Sequence, residues 1–220
     1  DHGRNRVHLV QRDDQAFAER RGQMQWASRI RSALDRDRFR LYFQPIVATM
    51  APGAPATHHE IFVRILDDDD RLIPPSAFIP AAERYGLMAE IDEWVVRNTL
   101  AWLGDVHRLG LDTPLVCSIN LSGENLDNAA FLDRIRSLLH DYQVPGESVC
   151  FEITETSTVS NFEAARDFID GLTQEGCRFS LDDFGSGMSS FGYLRNLPVH
   201  FLKIDGSFVR DILANPLDEA

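Results

Sequence analysis

The chain contains few cysteines, no long apolar run and fewer basic than acidic residues, and each of these features argues against a class of protein. The three cysteines, Cys117, Cys150 and Cys177, lack the spacing of zinc ligands and fall in or directly beside predicted strands, which indicates reduced thiols in a cytoplasmic protein. No apolar stretch reaches the roughly 18–20 residues of a membrane span. The net charge of −12 argues against binding of nucleic acid polymers, which requires basic patches.

The scarcity of lysine draws attention to one position. Of the 22 basic residues only Lys203 is a lysine, and it lies within the apolar run 201–205. Two interpretations are open at this point. Either the lysine occurs there by chance in a chain that prefers arginine, or the position needs a compact ammonium charge that a planar guanidinium cannot replace.

Strand-like and helix-like patterns alternate along most of the chain. Hydrophobic residues make up 44% of the 220 residues, which is enough for a sizeable core. After a helix at 14–37, strands are predicted over 39–47, 60–66, 115–121, 149–154, 178–182 and 201–205. Helices are predicted over 88–109, 129–142, 162–175 and 189–196, with a last one from 207. The alternation predicts a parallel sheet covered by helices, either doubly wound or a (β/α)8 barrel.

Polar residues at the strand ends favour the barrel. No G-x-G-x-x-G motif follows the first strand, so a dinucleotide-binding fingerprint is missing. Several predicted strands instead carry polar residues near their carboxyl ends, and the C-terminal face of a barrel collects such residues from every strand. The adjacent carboxylates Asp182 and Asp183 are the most informative case. Two like charges at a strand end repel each other and resist burial, and a divalent cation is the usual compensation.

The alternation of side chains along a strand predicts which residues meet. Residues two apart share a face, so the oxygens of four strand residues converge if these faces look into the barrel. Those residues are Glu60, Asn120, Glu152 and Asp182. Hard oxygen ligands suit Mg²⁺ or Mn²⁺, and Asp183 could hold a second ion with Asp182 as the bridge. Two such ions form the usual clamp for in-line attack on a phosphodiester, with Lys203 orienting or deprotonating the water and Arg64 pairing with a phosphate oxygen.

Each residue also has a plainer interpretation. Glu60 and Arg64 could form a structural ion pair, and Glu152 and Glu155 could cap the helix that follows. His58 and His59 are expected in an exposed loop. The acidic run at 67–70 is expected to be a solvated loop, because EF-hand spacing is missing. Each of these interpretations is plausible for a single residue. Together they do not explain why polar residues occur at the ends of successive strands.

Seven motifs in register resemble the EAL domain of bacterial cyclic di-GMP phosphodiesterases, over roughly residues 38–213. The matching stretches are Tyr42-Phe43-Gln44-Pro45-Ile46-Val47, Glu60-Ile61-Phe62-Val63-Arg64, Phe78-Ile79-Pro80-Ala81-Ala82-Glu83, Ser118-Ile119-Asn120-Leu121-Ser122, Phe151-Glu152-Ile153-Thr154-Glu155, Asp182-Asp183-Phe184-Gly185-Ser186-Gly187 and Leu202-Lys203-Ile204-Asp205. The fold implied is a TIM-like (β/α)8 barrel of the EAL type, of which this chain holds about six of the eight β/α units.

The resemblance implies roles for the site residues. The expected metal ligands are Glu60, Asn120, Glu152, Asp182 and Asp183, around two Mg²⁺ or Mn²⁺ ions. The residues expected to take part in catalysis are Lys203, Glu60, Asp183 and Glu155, the last by bracing the loop 183–190. Gln44, Arg64 and Asp205 are expected to bind the substrate.

The function implied is metal-dependent hydrolysis of cyclic di-GMP to linear pGpG. The alternative is a degenerate EAL domain that binds cyclic di-GMP as a receptor without cutting it. Two departures from the family pattern bear on this choice. The signature Glu-Ala-Leu reads Glu60-Ile61-Phe62 here, with Ile61 expected to face the helices. The last two β/α units are also missing, so we expect residues 1–220 alone to be inactive.

The remaining expectations concern the longer protein. Residues 1–12 are similar to the last strand of a GGDEF-like domain, residues 13–37 to a linker helix, and residues 38–220 to an EAL domain that is incomplete at its C-terminus. We expect the domain to be cytoplasmic, within a parent protein that could be anchored in a membrane upstream. We expect the intact protein to be a homodimer.

Overall fold

The protein folds as one sheet flanked by helices. The computed structural model describes residues 15–50, 57–110, 115–185 and 194–210. The strands are β1 (Phe39–Ile46), β2 (His58–Leu66), β3 (Leu72–Ile73), β4 (Val116–Leu121), β5 (Val149–Thr154), β6 (Arg178–Phe184) and β7 (Phe201–Ile204). The helices are α1 (Gln15–Asp35), α2 (Pro75–Arg84), α3 (Met88–Arg108), α4 (Ala129–Asp141), α5 (Glu155–Ser160), α6 (Phe162–Thr173) and α7 (Gly206–Arg210). All six predicted strands are present, and β3 is an addition.

The sheet has the order β1-β2-β4-β5-β6-β7, with β3 on β2. The strands from β2 to β7 on this path run parallel, whereas β1 is antiparallel to β2. The prediction of a parallel sheet is therefore wrong for the first strand. The physical reason is the connection. Parallel neighbours need a crossover of about a dozen residues or more, usually helical, and the proline-containing segment of the sequence between β1 and β2 is shorter than that.

Local sequence signals explain where several helices begin and end. Pro75 opens α2, a position where a missing N–H costs nothing. Asn128 caps α4, because its side chain accepts a hydrogen bond from the N–H of Phe131 at 3.2 Å. Gly110, just beyond α3, has a φ of 66°, the left-handed conformation that favours glycine after a helix.

The core lies between the sheet and the helices. Alternate strand residues point into it, and the fully buried examples include Ile119, Phe151, Ile153, Phe179 and Leu181. Each such side chain contributes about 1.5–3 kcal/mol on burial. Because the strand period is two, the intervening polar residues are forced onto the opposite face of the sheet. That face carries the candidate site.

The first helix belongs partly to this core. Its C-terminal half buries Ala27, Ile30 and Ala33, which recur at helical spacing. The predicted boundary at residue 38 between linker and EAL domain stays a prediction, and the predicted strand remnant at 1–12 lies outside the described residues. Most of the helix predicted at 189–196 lies outside them as well. In the part of the chain that is described, no helix is long and apolar enough to cross a membrane.

The sheet is open within the described ranges, where β1 and β7 are its two edges. Both edges carry partly exposed apolar side chains, among them Phe43 and Ile46 on β1 and Leu202 and Ile204 on β7. The helix-flanked parallel strands match the predicted α/β class, and the barrel is not closed by these residues.

Candidate metal centre at the strand ends

Lys203 stands at the centre of three carboxylates from three other strands. Its Nζ donates to Glu152 Oε2 at 2.5 Å, to Glu60 Oε2 at 3.1 Å and to Asp182 Oδ2 at 3.2 Å. Glu152 is almost completely buried, and the other side chains are partly shielded. The parallel register creates this arrangement, since β2, β4, β5 and β6 end at the same edge of the sheet.

The cluster holds more negative than positive charge. Burial by itself would lower the pKa of the Lys203 ammonium, but the hydrogen bond and charge of Glu152, with the charges of Glu60 and Asp182, outweigh it and raise that pKa. Burial raises the pKa of Glu152, and the contact with Lys203 opposes this rise. Three carboxylates around one ammonium leave a formal excess of two negative charges. A divalent cation would compensate this excess.

The donor set fits a hard divalent cation. One oxygen each from Glu60, Glu152 and Asp182 lies within 4.8 Å of the others. The amide of Asn120 lies beside them, with its Nδ2 donating to Glu60 Oε1 at 3.0 Å. A half-turn of this amide would present its oxygen to the same point. Carboxylate and amide oxygens are the ligands that Mg²⁺ and Mn²⁺ prefer, so these residues could hold a metal ion.

Asp183 lies outside the three-residue group, although it follows Asp182 directly. Its backbone has a φ of 54°, a left-handed conformation that costs a non-glycine residue about 1 kcal/mol and clusters at functional sites. Its N–H donates to Asp182 Oδ1 at 2.9 Å, within the stretch of β6 where the pairing with β7 shifts register between Leu181 and Phe184. Burial, followed by the charges of Asp182 and Asp205, raises the pKa of the Asp183 carboxyl. The predicted second-metal role of Asp183 stays a prediction.

A hydrogen bond from Glu155 connects the residue after β6 to the end of the neighbouring strand β5. It is the first residue of α5, directly after β5, and it is buried. Its Oε2 accepts the N–H of Gly185 at 3.0 Å. Gly185 has a φ of 95°, and a Cβ there would lie 2.8 Å from the ring of Phe208. The start of the loop predicted to be braced by Glu155 is thus held by it, and residues 186–190 of that loop lie outside the described residues.

The three predicted substrate-binding residues have different surroundings. Gln44 on β1 is paired opposite Glu60 and is exposed. Arg64 donates to the carbonyl of Val63 at 2.8 Å. Asp205 accepts hydrogen bonds from the N–H and hydroxyl of Ser207 at the start of α7, and these bonds lower its pKa. Their predicted roles stay predictions. Among the described ion pairs Glu60 contacts Lys203, so the alternative of a Glu60–Arg64 pair finds no support.

Aromatic rings flank Arg64. Its guanidinium carbon lies 5.7 Å from the ring centre of Phe62 and 5.8 Å from that of Tyr42, within the range of cation–π contacts. Tyr42 and Phe62 are paired across β1 and β2. The two rings and Arg64 therefore lie together on the neighbouring strands β1 and β2.

A cavity of about 790 Å³ opens beside the cluster. Glu60, Asn120 and Asp182 lie in its wall, as do Phe62 and Asp92. Cavities of this size hold small-molecule ligands of several tens of atoms. The arrangement thus combines a negatively charged cation site with space for a ligand.

Comparison with known proteins identifies the fold family. The sequence pattern of the EAL domain matches residues 27–220. The chain belongs to the EAL domain family. Cyclic di-GMP phosphodiesterase PdeB of Shewanella oneidensis is 38% identical over 218 residues, which cover 99% of this chain and 25% of PdeB. Cyclic di-GMP phosphodiesterase PdeF of Escherichia coli is 34% identical over 197 residues, covering 87% of this chain and 25% of PdeF.

Solved EAL structures share the architecture. The PaMucR phosphodiesterase in complex with c-di-GMP aligns with a TM-score of 0.80 at 30% identity, covering 89% of this chain and 78% of that one. The c-di-GMP-bound FimX EAL domain from Pseudomonas aeruginosa aligns with a TM-score of 0.78 at 29% identity, covering 88% and 76%. The α/β fold of the EAL type is thereby confirmed. The chain spans about a quarter of the length of the curated relatives it matches.

The altered EAL signature is accommodated in the strand. Ile61 is only 3% exposed and belongs to the core, which confirms that it faces the helices. Phe62 lies in the wall of the cavity, on the strand face that it shares with Glu60. Its neighbour Glu60 still reaches Lys203, so the bulkier Phe62 does not displace the signature glutamate from the cluster.

Two features of this EAL domain escaped the sequence analysis. His58 and His59 were predicted in an exposed loop, but they lie in β2 and are half-buried, with His58 Nε2 2.7 Å from Ser118 Oγ. That prediction is wrong because β2 begins at His58, two residues before the apolar pattern that predicted a strand from residue 60. Asp92 is the second, a carboxylate on the buried side of α3. The only sequence signal for it is an acidic residue at a core position of an amphipathic helix.

Asp92 should make the stability of the domain depend on pH. Burial raises the pKa of Asp92 to about 6, against the opposing hydrogen bonds from Ser122 and Asn125. The folded state therefore binds the proton more tightly than the unfolded chain, whose aspartates titrate near pH 4. This contribution is fully present below about pH 4 and is lost as the pH rises past 6, which amounts to about 3 kcal/mol at most.

Chemical denaturation between pH 4 and 7 in the presence of a chelator measures this effect. Asp92→Asn cannot titrate, so its free energy of unfolding should lack this fall with rising pH. Identical pH profiles for the two proteins would contradict the raised pKa.

Proposed function

We propose that the protein containing this chain hydrolyses cyclic di-GMP to linear pGpG as a metal-dependent phosphodiesterase. The observation that carries the proposal is the Lys203-centred cluster of Glu60, Glu152 and Asp182 beside a ligand-sized cavity. The relatives named cyclic di-GMP phosphodiesterases and the c-di-GMP-bound EAL structures support the choice of substrate. The homodimer and the cytoplasmic location remain expectations for the whole protein.

The proposed cation is Mg²⁺ or Mn²⁺. Glu60, Asn120, Glu152 and Asp182 would hold the first ion, and Asp183 would contribute to a second. When bound, such ions make a bound water more acidic and neutralise charge on phosphodiester oxygens. The excess negative charge of the cluster supports a divalent over a monovalent cation.

The remaining roles belong to side chains around the cluster. Lys203, held among three carboxylates, would orient the attacking water and bring positive charge toward the reacting phosphate. Arg64, supported by two aromatic rings, would pair with a phosphate oxygen. Gln44 and Asp205 would contact the rest of the dinucleotide from β1 and from the end of β7.

Incubation of the full-length protein with cyclic di-GMP and Mg²⁺ tests the proposal. We expect linear pGpG to accumulate, and a chelator to stop its formation. Tight binding of cyclic di-GMP with no pGpG would contradict the proposal and favour the receptor alternative. Absence of both binding and turnover would exclude the two functions together.

The buried brace formed by Glu155 should matter for turnover. Glu155→Ala leaves the N–H of Gly185 without its carboxylate acceptor and loosens the chain just beyond Asp183. We expect kcat for cyclic di-GMP to fall by about 10- to 100-fold, the usual effect of losing a partner that orients metal ligands. Steady-state kinetics measure the change. Glu163→Ala, on the exposed first turn of α6, is the control and should keep the kcat of the unchanged protein. Equal kcat values for the two variants would contradict a role of Glu155 in turnover.

A further inference from the structure

Asp92 is a buried carboxylate whose hydrogen bonds all go to one turn. It lies on α3 and is 3% exposed. Its Oδ2 accepts the hydroxyl of Ser122 at 2.6 Å, the N–H of Ser122 at 3.0 Å and the Nδ2 of Asn125 at 3.0 Å. Burying a carboxylate is costly unless donors compensate for the lost water. The concentration of three donors on one oxygen therefore holds this turn strongly to α3.

The turn that Asp92 holds comes directly after a proposed metal ligand. Asn120 lies near the end of β4, and Ser122 follows it by two residues, just before the single 3₁₀ turn Gly123–Asn125. The backbone after Asn120 cannot shift without breaking hydrogen bonds to a buried carboxylate. On its other side Asn120 is paired with Glu152 in the register of β4 and β5. The position of the Asn120 amide is thus defined from both directions.

The geometry points to Asp92 as a positioning residue for the cation site. We propose that Asp92, through Ser122 and Asn125, holds the amide of Asn120 against Glu60 and thereby sets the affinity of the cluster for a divalent cation. This inference rests on the proposed metal site but not on hydrolysis. A purely structural role for Asp92 would alter the stability of the domain and leave the cation affinity as it was.

Binding of Mn²⁺ alone to the full-length protein distinguishes these roles. Titration followed by electron paramagnetic resonance gives the dissociation constant of the ion, and thermal unfolding in a chelator gives the stability without it. Asp92→Asn replaces the carboxylate with an amide. In one orientation its NH₂ group meets the donors of Ser122 and Asn125, and in the other its carbonyl oxygen is a weaker acceptor than the carboxylate. We expect the dissociation constant for Mn²⁺ to rise by about 10- to 100-fold.

A matched control separates affinity from stability. Leu103→Ala lies on the same helix, removes a fully buried side chain and touches neither Ser122 nor Asn125 through a hydrogen bond. It should lower the melting temperature as other buried leucine truncations do, with the Mn²⁺ dissociation constant within about twofold of the unchanged protein. Loss of Mn²⁺ affinity in both variants to the same degree would overturn the inference.

Milder variants keep the test decisive if Asp92→Asn does not fold. Ser122→Ala and Asn125→Ala each remove one donor and should each weaken Mn²⁺ binding more than Leu103→Ala does. Unchanged affinity in both would overturn the inference. Mn²⁺ binding that depends on Asp92 in a protein that produces no pGpG would support it while rejecting the phosphodiesterase. Failure of the unchanged protein to bind Mn²⁺ would reject both.

Discussion

Lys203→Arg should nearly abolish hydrolysis of cyclic di-GMP by the full-length protein while reducing its affinity for the dinucleotide much less. The ammonium of Lys203 reaches three carboxylates at 2.5–3.2 Å, which requires a compact donor. A guanidinium keeps the charge but is larger and planar, so it cannot occupy the same point. We expect kcat to fall by about 10²–10³-fold, the range for loss of one preorganised donor that stabilises charge in the transition state.

Turnover kinetics with Mg²⁺, and calorimetric binding of cyclic di-GMP in a chelator that stops turnover, measure the two effects separately. Arg178→Lys makes the reverse exchange at the first residue of β6, at the opposite end of the strand from Asp182, and should leave kcat nearly unchanged. Equal losses of turnover and affinity in Lys203→Arg would show that Lys203 binds the substrate and does not assist the reaction.

Asp182→Asn should remove most of the stabilisation that Mg²⁺ or Mn²⁺ confers. A ligand that binds only the folded state stabilises it by about 2.7 kcal/mol at 100 times its dissociation constant. Asp182 supplies one of the three carboxylates of the cluster and also contacts Lys203. Loss of its charge should lower the affinity for the cation enough that the melting temperature barely responds to the ion.

Thermal unfolding with and without Mn²⁺ tests this expectation. Asp170→Asn, a partly exposed carboxylate on α6 that pairs with Arg166, is the matched control and should keep the full metal response. A metal response in Asp182→Asn equal to that of the control would mean that the cation binds elsewhere.

The local character of each element could be predicted from the sequence. The predicted strands of β4, β5, β6 and β7 agree with the structure to within a residue or two at most ends. Their apolar residues alternate with polar ones or fill both faces, a pattern that neighbouring residues alone determine. The same period of two predicted that Glu60, Glu152 and Asp182 would share one face, and their carboxylates do lie together.

Long-range contacts could not be predicted in this way. Lys203 and Glu60 are 143 residues apart in sequence, and only the assembled sheet brings the ammonium among the three carboxylates. The prediction anticipated a lysine near the site but not one bonded to the proposed metal ligands themselves. Asp92 was missed for a related reason, since its importance depends on a turn 30 residues further along the chain.

The sequence by itself determined the class of fold, the family and the residue types that meet at the strand ends, because these depend on local periodicity and on motifs whose spacing is visible in one dimension. Only the tertiary structure decided the antiparallel direction of β1, the half-burial of His58 and His59, and the register shift between β6 and β7 near Asp182 and Asp183. Each of these results from pairing or packing between distant segments. The free energy of such contacts depends on which segment packs against which in the folded chain. The sequence of one segment does not identify its partner.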